Sequence, residues 1–431
     1  MTNVKGSQNP FWTAVSKALS VMTFALIMAL ILAPGAWAAS KYKVLYSFTG
    51  GADGSQPQYG VLILDTTGNL YGMTTAGGAS GNGAVFKLTK NSDGSWTESV
   101  LYSFAGGTDG ANPWAGLIFD ASGNLYGTTE YGGASSAGTV FQLVPNSDGT
   151  WTENLLYSFA GSSGGANPET GVIFDASGAL YGTTSAGGTQ GMGVIYKLAP
   201  NSDGSWTYGA LHSFTGGKDG SYPLWGNLTF DTKGNLFGAT GDGVDAWGDC
   251  PNGNDCGSIF ELTPQSDGSW KEKVIFRFNG THGRVPFGPV VFDSAGSLYG
   301  TANGGGGDYG NAFKLTLDAK DKWSERVLHV FQGNQDGAYP SGSVVFDTAG
   351  NLYGTANDGE DLNGDCCFGQ VFKLVPRAHE WAKYTLHRFQ GAPRDGGGTR
   401  AGVVLDAAGN VYGTTCNDGT NGNGVVFEFT P

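Results

Sequence analysis

Short apolar runs, broken by stretches rich in Gly, Asn and Asp, follow one another along most of this chain, and residues 116–159 show the pattern most plainly. Gly116–Asp120 (GLIFD) is apolar on both sides. A turn at Ala121-Ser122-Gly123-Asn124 hands over to Leu125–Thr129 (LYGTT), and the two segments read as a hairpin. Beyond a Gly/Ser loop, Thr139–Val144 (TVFQLV) alternates apolar with polar residues, and so does Trp151–Phe159 (WTENLLYSF) after the turn at Pro145-Asn146-Ser147-Asp148-Gly149. Period-two alternation predicts a half-buried strand, whereas a strand apolar on both faces belongs innermost. These four predicted strands are labelled A, B, C and D. No segment of the region sustains a helical period.

The same unit recurs seven times. Its strand D phrase reads LYSF at Leu45–Phe48, Leu101–Phe104 and Leu156–Phe159, LHSF at Leu211–Phe214, IFRF at Ile275–Phe278, LHVF at Leu328–Phe331 and LHRF at Leu386–Phe389. The aspartate closing strand A returns at Asp65, Asp120, Asp175, Asp231, Asp293, Asp347 and Asp406, at spacings of 55, 55, 56, 62, 54 and 59 residues. A fixed period of this size marks a unit that cannot bury its apolar face alone and must stack on its neighbours. Four strands per unit make the blade of a propeller. The rival all-β arrangement, an open solenoid, would want intact caps, but this chain begins its repeats with a lone strand D, Tyr42–Phe48, and finishes them on a strand C, Val425–Phe429. The reading is therefore an all-β, seven-bladed β-propeller of four-stranded blades in one domain over residues 39–431, closed by the N-terminal strand completing the last blade. The glycine within each strand B, at Gly72, Gly127, Gly182, Gly238, Gly300, Gly354 and Gly413, marks a close approach of backbone or of an aromatic ring.

Tandem units of the form LYSF…GG.DG…P…GLIFD..GNLYGTT…GG…G.VFKL.P..DG.W resemble the GloVer repeat family of bacterial surface proteins. The resemblance covers nearly all of the chain after its leader and implies a secreted or surface-attached propeller with no catalytic residues to carry over. The commoner pattern continues into an anchor; here Phe429-Thr430-Pro431 stands directly after the last strand, and no sorting or membrane anchor is expected.

Residues 1–38 read as a signal peptide. Lys5 and Lys17 precede the apolar run Val21–Leu32, and Ala36-Trp37-Ala38 places small residues where a signal peptidase reads them. The run is too short to cross a bilayer as a helix, so a cleaved leader and no later membrane insertion are expected. The whole chain carries a net charge of −14, and loss of Lys5 and Lys17 with the leader leaves 21 basic side chains against 37 acidic ones. So acidic a surface repels nucleic acid and anionic lipid. It suits a soluble monomer outside the cytoplasm, whether secreted, periplasmic or on the cell surface. In that compartment Cys250 and Cys256, which flank a short loop between strands B and C of blade four, are expected to form a disulfide. Cys416 in blade seven is a candidate partner for Cys366 or Cys367 in blade six.

Positions shared by all seven units answer to folding; positions that differ are free to serve one site. On this rule the D-x-x-G-N stretches are turns, where Asp or Asn binds its own backbone, and not calcium loops, whose full ligand spacing they lack. The repeated tryptophans are packing, and His212, His329 and His387 are outer-strand side chains standing where other units have Tyr46, Tyr102 and Tyr157. The run Asp361, Asn363, Asp365 in the blade-six B–C loop could offer oxygen ligands to Ca2+, the one cofactor considered; no other is expected. A solvated acidic loop is the plainer reading of it. In a propeller the D–A segments and B–C loops share one face around the channel mouth. There Tyr59, Trp114, Glu169, Trp225, Phe287, Ser341 and Arg400 occupy comparable places near the repeated proline. All of these except Ser341 are the candidate ligand-binding residues, because aromatic rings with a carboxylate and a guanidinium suit a glycan or other small ligand. Otherwise they plug the channel.

Three functions follow. The first is a non-catalytic exported propeller binding a polysaccharide or an envelope protein. The second is a glycoside hydrolase or lyase acting at the channel mouth, which would want two carboxylates at a set separation, where only Glu169 stands out. No serine elbow, metal triad or phosphate loop is present, and no catalytic residue is assigned. The third is a purely architectural surface repeat.

Overall fold

The computed structural model describes residues 41–224, 226–242, 256–305, 307–358, 368–393 and 395–431. Seven antiparallel sheets, each ordered A-B-C-D from the axis outward, form the ring of a seven-bladed propeller, and the described residues contain no α-helix. In blade two the strands are Ile118–Phe119, Leu125–Thr129, Thr139–Pro145 and Trp151–Ser158. Strands B, C and D keep close to their expected bounds. Strand A pairs over only two residues, since the chain before it turns toward the axis: a Cβ added to Gly116 would lie 3.0 Å from the Val61 carbonyl of the adjoining blade.

Closure is as the split repeat requires. Lys41–Ser47 runs antiparallel to Val425–Thr430, with Tyr42 opposite Phe429 and Ser47 opposite Val425, and so becomes strand D of blade seven. Every C–D pair also carries a β-bulge that the apolar pattern does not reveal. In blade one Val85 faces Tyr102 while Phe86 faces Val100, leaving Leu101, the first residue of the repeated phrase, without a partner. The extra residue twists the strand and lets the last residue of the phrase turn inward. Phe48, Phe104, Phe159, Phe214 and Phe331 are thereby fully buried.

Most of these phenylalanines meet the ring of strand C edge to face, as Phe104 does Phe141 at 5.1 Å, and the tip of that ring reaches the strand B glycine. A Cβ on Gly127 would stand 2.7 Å from Phe141 Cζ, so the close approach inferred for this glycine is made by the ring. The cores sit in the seams between blades. Tyr71, Met73 and Val85 of blade one, for example, pack against Leu117, Leu125 and Phe141 of blade two. Trp206, half-buried at the start of its strand D, meets Tyr126 of the preceding blade edge-on at 6.5 Å. Blades five and six add short strands that the repeat does not foretell, Arg284–Pro286 and Ala338–Pro340, on lengthened strands B.

The two ends of the ring differ. One carries the A–B and C–D turns, where Asp120 Oδ1 accepts from the Ser122 and Asn124 amides at 2.8 and 2.9 Å and its Oδ2 accepts from Asn124 Nδ2 and the Tyr126 hydroxyl. The aspartates of these stretches are turn residues, as their spacing suggested. At the other end the D–A segments are tied to the B–C loops by single bridges, Ser55 with Ala76, Ala111 with Tyr131 and Ala166 with Ala186, so both loop classes do share one face.

Candidate ligand-binding face

The repeated proline brings the chain to the axis, and the residues after it are small. Gly60, Ala115, Thr170, Gly226, Gly288, Gly342 and Ala401 precede their strands A at one equivalent place. A Cβ on Gly60 would lie 2.5 Å from the Ala115 carbonyl, and one on Gly342 would lie 2.5 Å from the Gly402 amide. Backbones therefore touch around the axis. The space left there is about 20 Å³, room for about one water.

Four of the side chains anticipated at the mouth converge above that constriction. Tyr59 takes a left-handed backbone conformation, φ 40°, which tips its ring over the axis. Trp114 stacks on it at 5.0 Å with the planes 10° apart, and Phe287 from blade five lies 5.9 Å away on a tilt. The Arg400 guanidinium sits 5.7 Å above the same ring, donating to Gln58 Oε1 at 2.9 Å and to the Tyr59 hydroxyl at 3.4 Å. Phe287 is 9% exposed and belongs to the plug, whereas Tyr59, Trp114 and Arg400 are half-buried and keep part of their surface open.

Glu169 lines the same axial cavity as Tyr59. Its carboxyl accepts from Ser185 Oγ at 2.8 Å. Burial, with a smaller push from Glu130, raises its pKa to about 7 despite that hydrogen bond. Glu130 is itself 7% exposed and is shifted upward by burial, with Tyr131 as its hydrogen-bonding neighbour. A second carboxyl thus stands near the mouth. Sequence reading missed it, along with Ser185, by weighing only the D–A segments for the mouth, and missed Gln58 by taking a single position from each of those segments. The residue after strand B also differs in every blade but two, being Thr75, Glu130, Ser185, Gly241, Asn303, Asn357 and Cys416, and the same rule applied there would have found it. Ser341 is buried and donates to the Thr399 carbonyl at 3.4 Å, a packing role. Further tyrosines stand exposed on this face at Tyr131, Tyr222 and Tyr309.

Trp225, Cys250 and the candidate calcium run Asp361, Asn363 and Asp365 lie outside the described residues, as do Cys366 and Cys367. Cys256 is buried at the start of the segment leading into strand C. Cys416 is a buried free thiol, so the bond expected to Cys366 or Cys367 is not made. Its sulfur lies against Gly398, where an added Cβ would stand 2.7 Å from it, and burial pushes the thiol pKa up. The three strand D histidines have structural partners: His212, His329 and His387 bond Asp219, Asp336 and Asp395 at 3.0, 3.0 and 2.7 Å. Among the described residues no three His, Cys, Asp or Glu side chains gather as a metal site would require.

The family model described as the Gloeobacter/Verrucomicrobia repeat matches residues 36–248 and 247–431. No curated protein matches. Among solved structures, the extracellular domain of a hybrid two-component system from B. thetaiotaomicron aligns with a TM-score of 0.53 at 13% identity, over 90% of this chain and 41% of that one. A puromycin-hydrolyzing peptidase from Mycobacterium tuberculosis aligns at 0.49 and 12% identity, over 87% and 52%. A protein of unknown function from Dyadobacter fermentans DSM 18053 aligns at 0.45 and 12%, over 91% and 98%. The chain spans about half or less of the first two, and the likeness to the first, at 13% identity, is likeness of fold.

Proposed function

The chain belongs to the Gloeobacter/Verrucomicrobia repeat family, and from that premise we propose that it is an exported, non-catalytic propeller whose mouth-side face binds an extracellular polysaccharide. The observation that carries this reading is the cluster of Tyr59, Trp114 and Arg400 over an axial cavity with room for about one water. Binding then takes place on the face. Flat rings with part of their surface open, flanked by a guanidinium and by the carboxyl of Glu169, offer stacking and polar contacts together, the combination that suits sugar rings. Export rests on the leader-like pattern of residues 1–38 and on the acidic composition. Under export, Cys250 and Cys256 pair and brace the blade-four loop beside this face, and the run from Asp361 to Asp365 is the place for calcium if the face needs any.

A glycan-array screen of the mature protein, with and without calcium, tests the proposal. Trp114→Ala should abolish any binding found; an unchanged signal would move the site elsewhere, and capture of an envelope protein with no glycan bound would replace the ligand class. The hydrolase or lyase reading draws on Glu169 with Glu130 near it, since one carboxyl held protonated near neutrality is what a general acid needs. It predicts turnover of the bound glycan that Glu169→Gln stops.

A further inference from the structure

An arginine side chain is a fork of N–H donors, and its Nε and Nη2 form the edge that matches the two oxygens of a carboxylate. Arg277, Arg326 and Arg377 give Nη2 to the Lys218 carbonyl, the His379 carbonyl and the Tyr384 hydroxyl, and Arg388 gives both Nε and Nη2 to the Gln335 carbonyl. Arg284, in the D–A segment of blade five, turns Nη2 to the Asp308 carboxylate at 3.6 Å. Arg400 is built differently. Its hydrogen bonds both run from Nη1, to Gln58 Oε1 and to the Tyr59 hydroxyl, and among the described residues Nε and Nη2 donate to nothing and no carboxylate pairs with the guanidinium.

The chain fixes this side chain from both sides. In blade seven Thr399 stands where the other blades have the repeated proline; it is fully buried, its hydroxyl donates to the Ala356 carbonyl at 2.7 Å, and its own carbonyl accepts from Ser341 Oγ at 3.4 Å. On the other side the Ala401 carbonyl accepts from Thr355 Oγ1 at 2.7 Å. With both flanking residues held, and Nη1 tied down beside the Tyr59 ring, little freedom remains to be lost when a ligand is grasped. A half-buried charge whose protein partners are all neutral is completed by an anion.

Given the polysaccharide reading above, on which this inference rests, we propose that the polymer recognised at the mouth is an acidic one. Its oxyanion, a uronate carboxylate or a sulfate ester, is gripped by the Nε–Nη2 edge of Arg400 while a sugar ring lies on Trp114. Trp114 and the guanidinium stand 5.0 and 5.7 Å from one Tyr59 ring, so a short glycan reaches both. The overall charge of −14 repels such a polymer at long range. That repulsion is weak here: at physiological ionic strength exposed charges more than about 8 Å apart are largely screened, whereas a bidentate contact acts at hydrogen-bond distance. The carboxyls of the mouth itself also weigh less than their number suggests, because burial shifts Glu169 and Glu130 upward.

An array of neutral, uronate-bearing and sulfated glycans, probed with the mature protein, tests this and tells the two oxyanions apart. A bound acidic glycan is then compared with its carboxyl-reduced or desulfated form. Neutralising the oxyanion should weaken binding by about tenfold or more. Arg400→Gln should bind the acidic glycan as weakly as wild type binds the neutralised one, and should bind the neutralised one unchanged. Arg400→Lys, which keeps the charge but not the fork, should fall between. Equal binding of acidic and neutralised forms by wild type overturns the proposal and leaves the polysaccharide reading standing, as does an Arg400→Gln variant that loses both forms alike. Binding of no glycan at all overturns both. Should Arg400→Gln fail to fold, the wild-type comparison decides alone.

Discussion

Asp120 and Trp114 belong to the same blade, six residues apart in sequence, yet they stand at opposite ends of the ring and obey opposite rules. Asp120 is one of seven copies, and each copy closes a turn inside its own blade with partners two to six residues away. Trp114 has no counterpart in the neighbouring repeats at Tyr59 and Glu169, and its stacking partner comes from another blade. A problem that every blade meets alone has one repeated solution. A place where all blades meet at an axis admits only one copy of each contact, and there the repeats are free to diverge.

The sharpest break of this comparison is to remove a shared element that acts between repeats. Deleting residues 41–48 strips the outer strand from blade seven, exposing Phe429 and the seam that Leu45 and Phe48 fill. Loss of cooperative unfolding, read by calorimetry, is the expected result; a variant with a normal melt would show that ring closure contributes little. Next in size, Asp120→Ala leaves two turn amides and the Tyr126 hydroxyl without their acceptor and should cost about 1–3 kcal/mol in denaturant unfolding, with ligand binding unchanged. Trp114→Ala is the mirror image. It should cost about 1 kcal/mol or less and abolish binding, and a larger loss of stability with no ligand found would make the ring a plug only.

Smaller still is the acid limb. Burial alone would raise Asp65 and Asp175, but hydrogen bonds from Asn69 and Thr67, and from Ser177 and the Ala179 amide, hold both at about 2. These folded pKa values lie below the unfolded one, so the stability they add is complete above about pH 4 and fades as pH falls through about 2. Substituting both with Asn should flatten the melting curve in that window and nowhere else. Mapping of disulfides in the unreduced protein checks the remaining expectation, a Cys250–Cys256 bond; two free thiols there would remove the brace proposed for the blade-four loop.

Apolar alternation and the recurrence of whole phrases made strands B, C and D legible, and the split unit made the closure legible. Strand A was read too long because apolarity reports burial and not pairing: Leu117 is buried against the neighbouring blade without joining the ladder of its own. The bulge at Leu101 was invisible, since an extra residue shared by every copy leaves the period unchanged. At the mouth, divergence among repeats pointed to Tyr59, Trp114, Phe287 and Arg400, which meet. It did not show that Phe287 would be buried as filler, because which ring of a cluster ends on top depends on backbone turns such as the left-handed one at Tyr59.

The contact of small residues at the axis also sets how many repeats this chain can have. Gly60 and Gly342 bring the backbones of neighbouring blades together with no room for a methyl group, and with the first strand completing the last blade the ring closes at seven units; adding or removing a unit would require every one of these seams to re-angle. A stacked solenoid lengthens freely when its gene duplicates a unit. Here copy number is locked by geometry, and variation is channelled into the loops of one face.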